Sequence, residues 1–185
     1  MKHLLLRFLI LTLLIFNLNL TANSSIKKSC FIPDEIMYSI LLSEKTKKRK
    51  IGYEFLIRNN SKEKKKLFYN IIKKFNHKEI SNNLIDCLNK KNCIKISQEL
   101  IKKDILNLDL GAYQINNYYH SDNLNIFFNF DKSYFKACGF IEKNITKNGW
   151  NWEAVARYHS KTPKHNKKYI KRLQDYLLIV RKQIQ

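Results

Sequence analysis

Residues 108–120, Leu-Asp-Leu-Gly-Ala-Tyr-Gln-Ile-Asn-Asn-Tyr-Tyr-His, are the stretch around which this chain can be interpreted. Glycine allows close approach of the backbone to a ligand, amides donate and accept hydrogen bonds, and tyrosine offers a flat face with a hydroxyl tip. This mixture suits a polar, aromatic-walled cleft of the kind that carbohydrate requires. The alternative is an ordinary helix start with exposed polar side chains.

The N-terminal 22 residues have the layout of a secretory signal peptide. Lys2 and Arg7 accompany an apolar run over residues 4–16, and Thr21-Ala22 offers a small-residue cleavage site. The run is short for a bilayer span, which disfavours the alternative of a retained anchor. We therefore expect residues 1–22 to be removed, and residues 23–185 to form one periplasmic or secreted domain that is monomeric and not inserted in a membrane.

The chain is strongly basic, with 35 Lys and Arg against 15 Asp and Glu and a formal charge of +20. Such a balance raises nucleic acid as a partner. Here the lysines are spread along solvated faces, and an exported protein meets little nucleic acid. We therefore expect no nucleic-acid partner, whereas the anionic bacterial envelope suits this charge.

Four cysteines follow the predicted leader, at positions 30, 87, 93 and 138. An even number of cysteines in an exported chain favours disulfides. Cys87 and Cys93 enclose a short polar loop and are expected to pair locally, which leaves Cys30 for Cys138. A zinc site is the alternative, but the spacing matches no common one.

Glu44 is the first acidic side chain with a predicted chemical role. Pro33 opens a helix whose apolar stripe includes Ile36 and Ile40, and Glu44 continues that stripe. A carboxyl on the buried edge of a helix loses solvation, so its pKa rises and it can serve as a general acid at neutral pH. The alternative is a frayed helix end with Glu44 in water, and Glu54 is the nearby acid that could rival it.

Helical spacing of apolar residues recurs through the rest of the chain, while only residues 53–57 suggest a short strand. The later helices include one ended by Gly149, a short one around Trp152, and a last one that carries Tyr169 on its apolar side. The sequence shows no internal repeat and no phosphate-binding loop. We therefore predict a mainly α single domain with at most a short strand or hairpin element.

Three segments, taken in order, resemble the lysozyme-like lytic transglycosylases of the soluble-transglycosylase superfamily, and most of all its small branch associated with secretion and conjugation. Glu44 falls where that family has an acid at the end of its first helix, although Lys45 stands in place of the usual serine. Residues 111–116, Gly-Ala-Tyr-Gln-Ile-Asn, are similar to the middle motif, Gly-Leu-Met-Gln followed by Ile-Asn. Residues 158–163, Tyr-His-Ser-Lys-Thr-Pro, are similar to a variant of the last motif.

This resemblance implies a lysozyme-like fold and cleavage of peptidoglycan between N-acetylmuramic acid and N-acetylglucosamine, with a 1,6-anhydro product. It implies one carboxyl, Glu44, as both acid and base, with Tyr158 reaching toward it to fix its orientation. The residues expected to bind the glycan or line the cleft are Gly111, Tyr113, Gln114, Asn116, Tyr119, Tyr158 and His159, with His120 as a further wall residue. No metal or organic cofactor is implied, and components of an envelope secretion system are a second class of expected partner.

Two other functions remain open from the sequence. A peptidoglycan-binding module that has lost turnover together with the Glu-Ser motif would bind cell wall without releasing product. A lysozyme-type hydrolase would release reducing ends instead of anhydro sugars.

Overall fold

The computed structural model describes residues 29–47, 49–120 and 122–184, so the predicted signal peptide lies outside the described residues. The described part is mainly helical, as predicted, and adds a small five-stranded antiparallel sheet to its seven helices. The elements are α1 Asp34–Glu44, β1 Leu56–Asn59, α2 Lys65–Ile72, β2 Lys78–Ser81, β3 Leu84–Asp86, α3 Lys90–Lys102, β4 Leu108–Leu110, β5 Ile115–Asn116, α4 Leu124–Phe127, α5 Phe130–Asn148, α6 Trp152–Ala156 and α7 Pro163–Ile184.

Helix α1 forms as its sequence predicts. Its N-cap is Pro33, and Asp34 and Glu35 occupy the first turn, where negative charge is favourable. The apolar stripe that includes Ile36 and Ile40 is buried, and α1 packs against α7, the last helix. The contact face of α7 includes Tyr169, Leu173, Leu177 and Val180, all buried.

The sheet has the strand order β2-β3-β1-β4-β5, and every neighbouring pair is antiparallel. In this register Arg58 lies opposite Asp109, and Asp109 lies opposite Asn116. Side chains directly opposite each other in a sheet share one face, so these three form a polar row across β1, β4 and β5. The predicted strand at residues 53–57 begins three residues later than expected, at Leu56.

Both predicted disulfides are present. Cys30 pairs with Cys138, which ties the segment before α1 to α5, and Cys87 pairs with Cys93 at the start of α3. The zinc alternative needs free thiolates, which these bonded sulfurs do not supply.

The searched helices of residues 29–184 include none with the length and apolar character needed to cross a membrane.

Candidate active site

Glu44 is the last residue of α1, and its side chain is largely withdrawn from water, with 11% of its surface exposed. Desolvation by burial raises the pKa of this carboxyl from its ordinary value of 4.5 to about 7. The interpretation in which Glu44 continues the buried stripe is therefore confirmed, and the alternative of a carboxyl in open water is wrong.

The hydroxyl of Tyr169 donates a hydrogen bond to Oε1 of Glu44 at 2.8 Å. Tyr158 was expected to make this contact, but its hydroxyl donates instead to the backbone oxygen of Tyr113 at 2.5 Å. The prediction for Tyr158 is therefore wrong in this detail, because α7 brings a different tyrosine to the acid. Tyr158 still lies close enough for the charge of Glu44 to contribute to the raised pKa of the Tyr158 hydroxyl, of which burial is the largest cause.

Polar and charged neighbours also change the pKa of Glu44, but they do not reverse the increase caused by burial. The hydrogen bond from Tyr169 lowers the pKa of Glu44, the negative charge of Asp109 raises it, and the guanidinium groups of Arg58 and Arg172 lower it. Arg58 comes from the sheet and Arg172 from α7, so two different elements supply the positive charges that act on Glu44.

Gln114 connects the turn between β4 and β5 to Arg58. Its backbone has a positive φ of 47°, and its side-chain nitrogen donates to the oxygen of Gly111 at 2.8 Å. The side-chain oxygen accepts a hydrogen bond from Nε of Arg58 at 3.1 Å. The middle motif therefore positions a cation whose charge acts on Glu44.

Asn116 and Asp109 form the second polar pair of the site. Nδ2 of Asn116 donates to Oδ1 of Asp109 at 2.7 Å and to Oδ1 of Asn107 at 2.8 Å. Burial raises the pKa of Asp109, whereas hydrogen bonds from Asn60 and Asn116 oppose that rise by stabilising the carboxylate. The site thus contains two desolvated carboxyl groups, and the charge of Asp109 raises the pKa of Glu44.

Close packing requires glycine at position 111. Its φ is +75°, and a Cβ atom at this position would lie 2.0 Å from the backbone oxygen of Phe127. A side chain cannot be accommodated there, which gives this glycine a structural reason in addition to its predicted place in the glycan cleft.

His159 lies beside Glu44, with Nδ1 at 3.8 Å from Oε1, and its ring stacks on Tyr169 with centroids 4.5 Å apart. Burial and the charge of Arg172 lower the pKa of His159, which favours the neutral form of the ring. With 43% of its side chain exposed, His159 can line a cleft beside the acid, and its function as a wall residue stays a prediction.

The remaining predicted cleft residues have rings that contact other aromatic side chains. Tyr113 is buried, and its ring contacts Phe130 and Tyr134. Tyr119 is 74% exposed and its ring contacts His120, which in turn stacks on Phe140. The structure links Gln114 to the acid through Arg58, Tyr158 through the charge of Glu44, and His159 by direct approach. For Tyr113, Tyr119 and His120 it shows the ring contacts with other aromatic side chains instead.

The sequence alone did not identify Tyr169, Arg58, Asp109 or Arg172 as part of this site. Tyr169 occurs in an apolar stripe, where a tyrosine is typical of the core. Asp109 did carry a signal, because an acid two residues before Gly111 in an otherwise apolar strand is unusual in such a basic chain. Arg58 and Arg172 had none, since only the strand register and the docking of α7 bring them to Glu44.

No protein-family model matches this sequence, and neither a curated protein nor a solved structure shows significant similarity to the chain.

Proposed function

We propose that this protein is an exported peptidoglycan lytic transglycosylase in which Glu44 is the single acid and base. The observation that carries the proposal is the desolvated Glu44 carboxyl, whose pKa of about 7 lets it hold and release a proton near neutrality. General acid–base catalysis is most effective when the pKa of the group lies near the working pH. The resemblance of the three sequence segments supplies the substrate.

In the proposed reaction, protonated Glu44 donates its proton to the glycosidic oxygen between N-acetylmuramic acid and N-acetylglucosamine. The bond from C1 to that oxygen breaks, and the N-acetyl group of the muramic residue stabilises the positive charge at C1. The carboxylate of Glu44 then takes the proton from the C6 hydroxyl, whose oxygen bonds to C1 and closes the 1,6-anhydro ring. Water is not consumed.

The surroundings of Glu44 fit both halves of this cycle. Desolvation favours the protonated acid needed first, while Tyr169 and the two arginines stabilise the carboxylate needed second. The hydroxyl of Tyr169 donates its hydrogen bond to Oε1 of Glu44. Among the residues the structure describes, Oε2 accepts no hydrogen bond, so this oxygen is the one we assign to proton transfer.

The test is mass spectrometry of the products released when residues 23–185 act on purified peptidoglycan. We expect anhydro-muropeptides, and we expect Glu44→Gln to reduce their release by about 10²-fold or more, since removal of a general acid typically costs this much. Glu63→Gln, at an exposed residue of the loop before α2, is the control and should retain activity. Equal release by the Glu44→Gln variant would exclude Glu44 as the acid.

Lysozyme-type hydrolysis is a second candidate, favoured by Asp109. Glycosidases that hydrolyse with water use two carboxyl groups, and Asp109 is a second carboxyl whose charge reaches Glu44. The same mass spectra separate the candidates, because hydrolysis yields reducing ends and should be lost with Asp109→Asn. Binding of cell-wall sacculi with no released product would instead indicate the binding module.

Export to the envelope and local cell-wall remodelling for a secretion or conjugation apparatus complete the proposal. Both disulfides are consistent with an oxidising compartment.

A further inference from the structure

A cavity of about 880 Å³ lies along the N-terminal half of α1 and is separate from the Glu44 site. Its volume falls within the range of small-molecule pockets. The wall is formed by α1, the loop before β1, the start of α5 and one residue of α7, and it does not include Glu44. Tyr113 touches both regions, since it lines the cavity while its backbone oxygen accepts the Tyr158 hydroxyl.

Aromatic rings dominate the wall of this cavity. The rings are those of Tyr38, Tyr53, Phe55, Tyr113, Phe130 and Tyr134. Tyr38 and Phe130 are each 38% exposed, so their apolar surface is open to a ligand from outside. Such faces carry negative charge density and attract organic cations.

The charged groups of the wall reverse the balance of the whole chain. The wall contains three acidic residues and one lysine, namely Asp34, Glu35, Glu54 and Lys50. In the whole chain, basic residues outnumber acidic ones by 35 to 15. Asp34 accepts a hydrogen bond from Tyr134 at 2.7 Å, and Glu35 pairs with Arg181 at 2.6 Å. This concentration of acids fits a positively charged ligand.

Glu54 is the carboxyl that is free to bind such a ligand. It is half-buried in the cavity wall, and within residues 29–184 no described side chain donates a hydrogen bond to it or forms an ion pair with it. From its sequence position it was the possible rival of Glu44, but the fold assigns it to this separate wall.

We propose that this cavity binds a small organic cation, in which an aliphatic or aromatic body carries a primary amine that pairs with Glu54. The body fills the space between the aromatic rings, and the ammonium group lies at the acidic rim. This site is independent of the proposed glycan chemistry, so the failure of one proposal leaves the other standing.

The test uses 4-phenylbutylamine and its neutral counterpart 4-phenylbutan-1-ol, which share one body and differ in charge. Binding to residues 23–185 is followed by amide chemical shifts in NMR and by titration calorimetry. We expect the amine to shift amides of the loop before β1 and to bind about tenfold more tightly than the alcohol, as a desolvated cation–π and carboxylate contact predicts.

Glu54→Gln should remove most of this preference, whereas Glu63→Gln, outside the cavity, should retain it. Thermal unfolding verifies that both variants are folded. The unfolding temperature of each should equal that of the unmodified protein, because neither carboxyl has a described partner. Equal affinity for amine and alcohol, shifts confined to other surfaces, or an unchanged preference in Glu54→Gln would each overturn the proposal.

Discussion

Glu44 shows how opposing influences on one side chain are resolved. Desolvation is the largest effect on its pKa, and the hydrogen bond from Tyr169 is the largest that opposes it. The difference leaves a carboxyl that titrates at about 7 in place of 4.5. A small change to either influence therefore moves this pKa across neutrality.

Tyr169→Phe should raise the pKa of Glu44 above about 7. The substitution keeps the ring that stacks on His159 but removes the hydroxyl that stabilises the carboxylate. The pKa is measured from the carboxyl carbon shift of Glu44 in ¹³C-labelled protein. In an active enzyme the alkaline limb of the kcat/KM profile should move to higher pH as well.

Tyr118→Phe is the matched control for this variant, because Tyr118 is 60% exposed and its ring contacts Tyr119, whereas the hydrogen bond to Glu44 comes from Tyr169. The pH titration of Glu44 in this control should superimpose on that of Glu44 in the unmodified protein. A lower or unchanged pKa of Glu44 in Tyr169→Phe would contradict the assigned hydrogen bond.

Glu44→Gln should stabilise the fold at neutral and alkaline pH. The folded-state pKa is raised, so the stability associated with protonated Glu44 is fully present below 4.5 and is lost as the pH rises through about 7. The loss corresponds to roughly 3 kcal/mol, at 1.36 kcal/mol per pKa unit. Denaturant unfolding measures the free energy of unfolding of both proteins across this pH range. As the pH rises from 4.5, the unmodified protein should become progressively less stable than Glu44→Gln. Parallel curves would show that Glu44 is not desolvated.

The burial of Glu44 was predictable from sequence because it depends on local information. The spacing from Ile36 and Ile40 puts position 44 on the buried stripe, and no distant residue is needed for that conclusion. Tyr169 is 125 residues away, and its hydroxyl reaches Glu44 only after α7 packs on α1. Local periodicity predicts that Tyr169 is buried but not what its hydroxyl contacts.

At the scale of secondary structure, the tight connection between β4 and β5 organises the polar row of the sheet. Gly111 and Gln114 both adopt positive φ there, and the turn sets the register that brings Asp109 opposite Asn116. The sequence indicated that residues 108–120 were important. It did not indicate a hairpin, because strands of two and three residues carry almost no alternating pattern.

Gly111→Ala should destabilise the protein by at least about 2 kcal/mol, since it combines backbone strain at positive φ with a clash against Phe127. Gly139→Ala is the matched control. Gly139 is exposed within α5, with nothing within 4 Å of an added Cβ, so this change should stabilise by about 0.5–1 kcal/mol. Urea denaturation measures both, and equal effects would contradict the tight packing at Gly111.

For the molecule as a whole, the two disulfides constrain loops of very different length. Cys30 and Cys138 are separated by 108 residues, whereas Cys87 and Cys93 are separated by 6. The pairing was predictable because a short loop limits the options for two of the four cysteines. The consequence for stability depends on how much freedom each bond removes from the unfolded chain.

Replacing Cys30 and Cys138 together by alanine should therefore lower the free energy of unfolding more than replacing Cys87 and Cys93. Loop-closure entropy gives about 5 kcal/mol for the long loop and about 2 kcal/mol for the short one. Cys87 and Cys93 are both fully buried, whereas Cys30 is only partly buried, so the loss of packed sulfur favours the opposite order and does not explain such a difference. Urea denaturation of the two double variants gives the comparison directly. A larger loss for the short loop would mean that native packing around α3, rather than the entropy of the unfolded chain, dominates the contribution of these bonds.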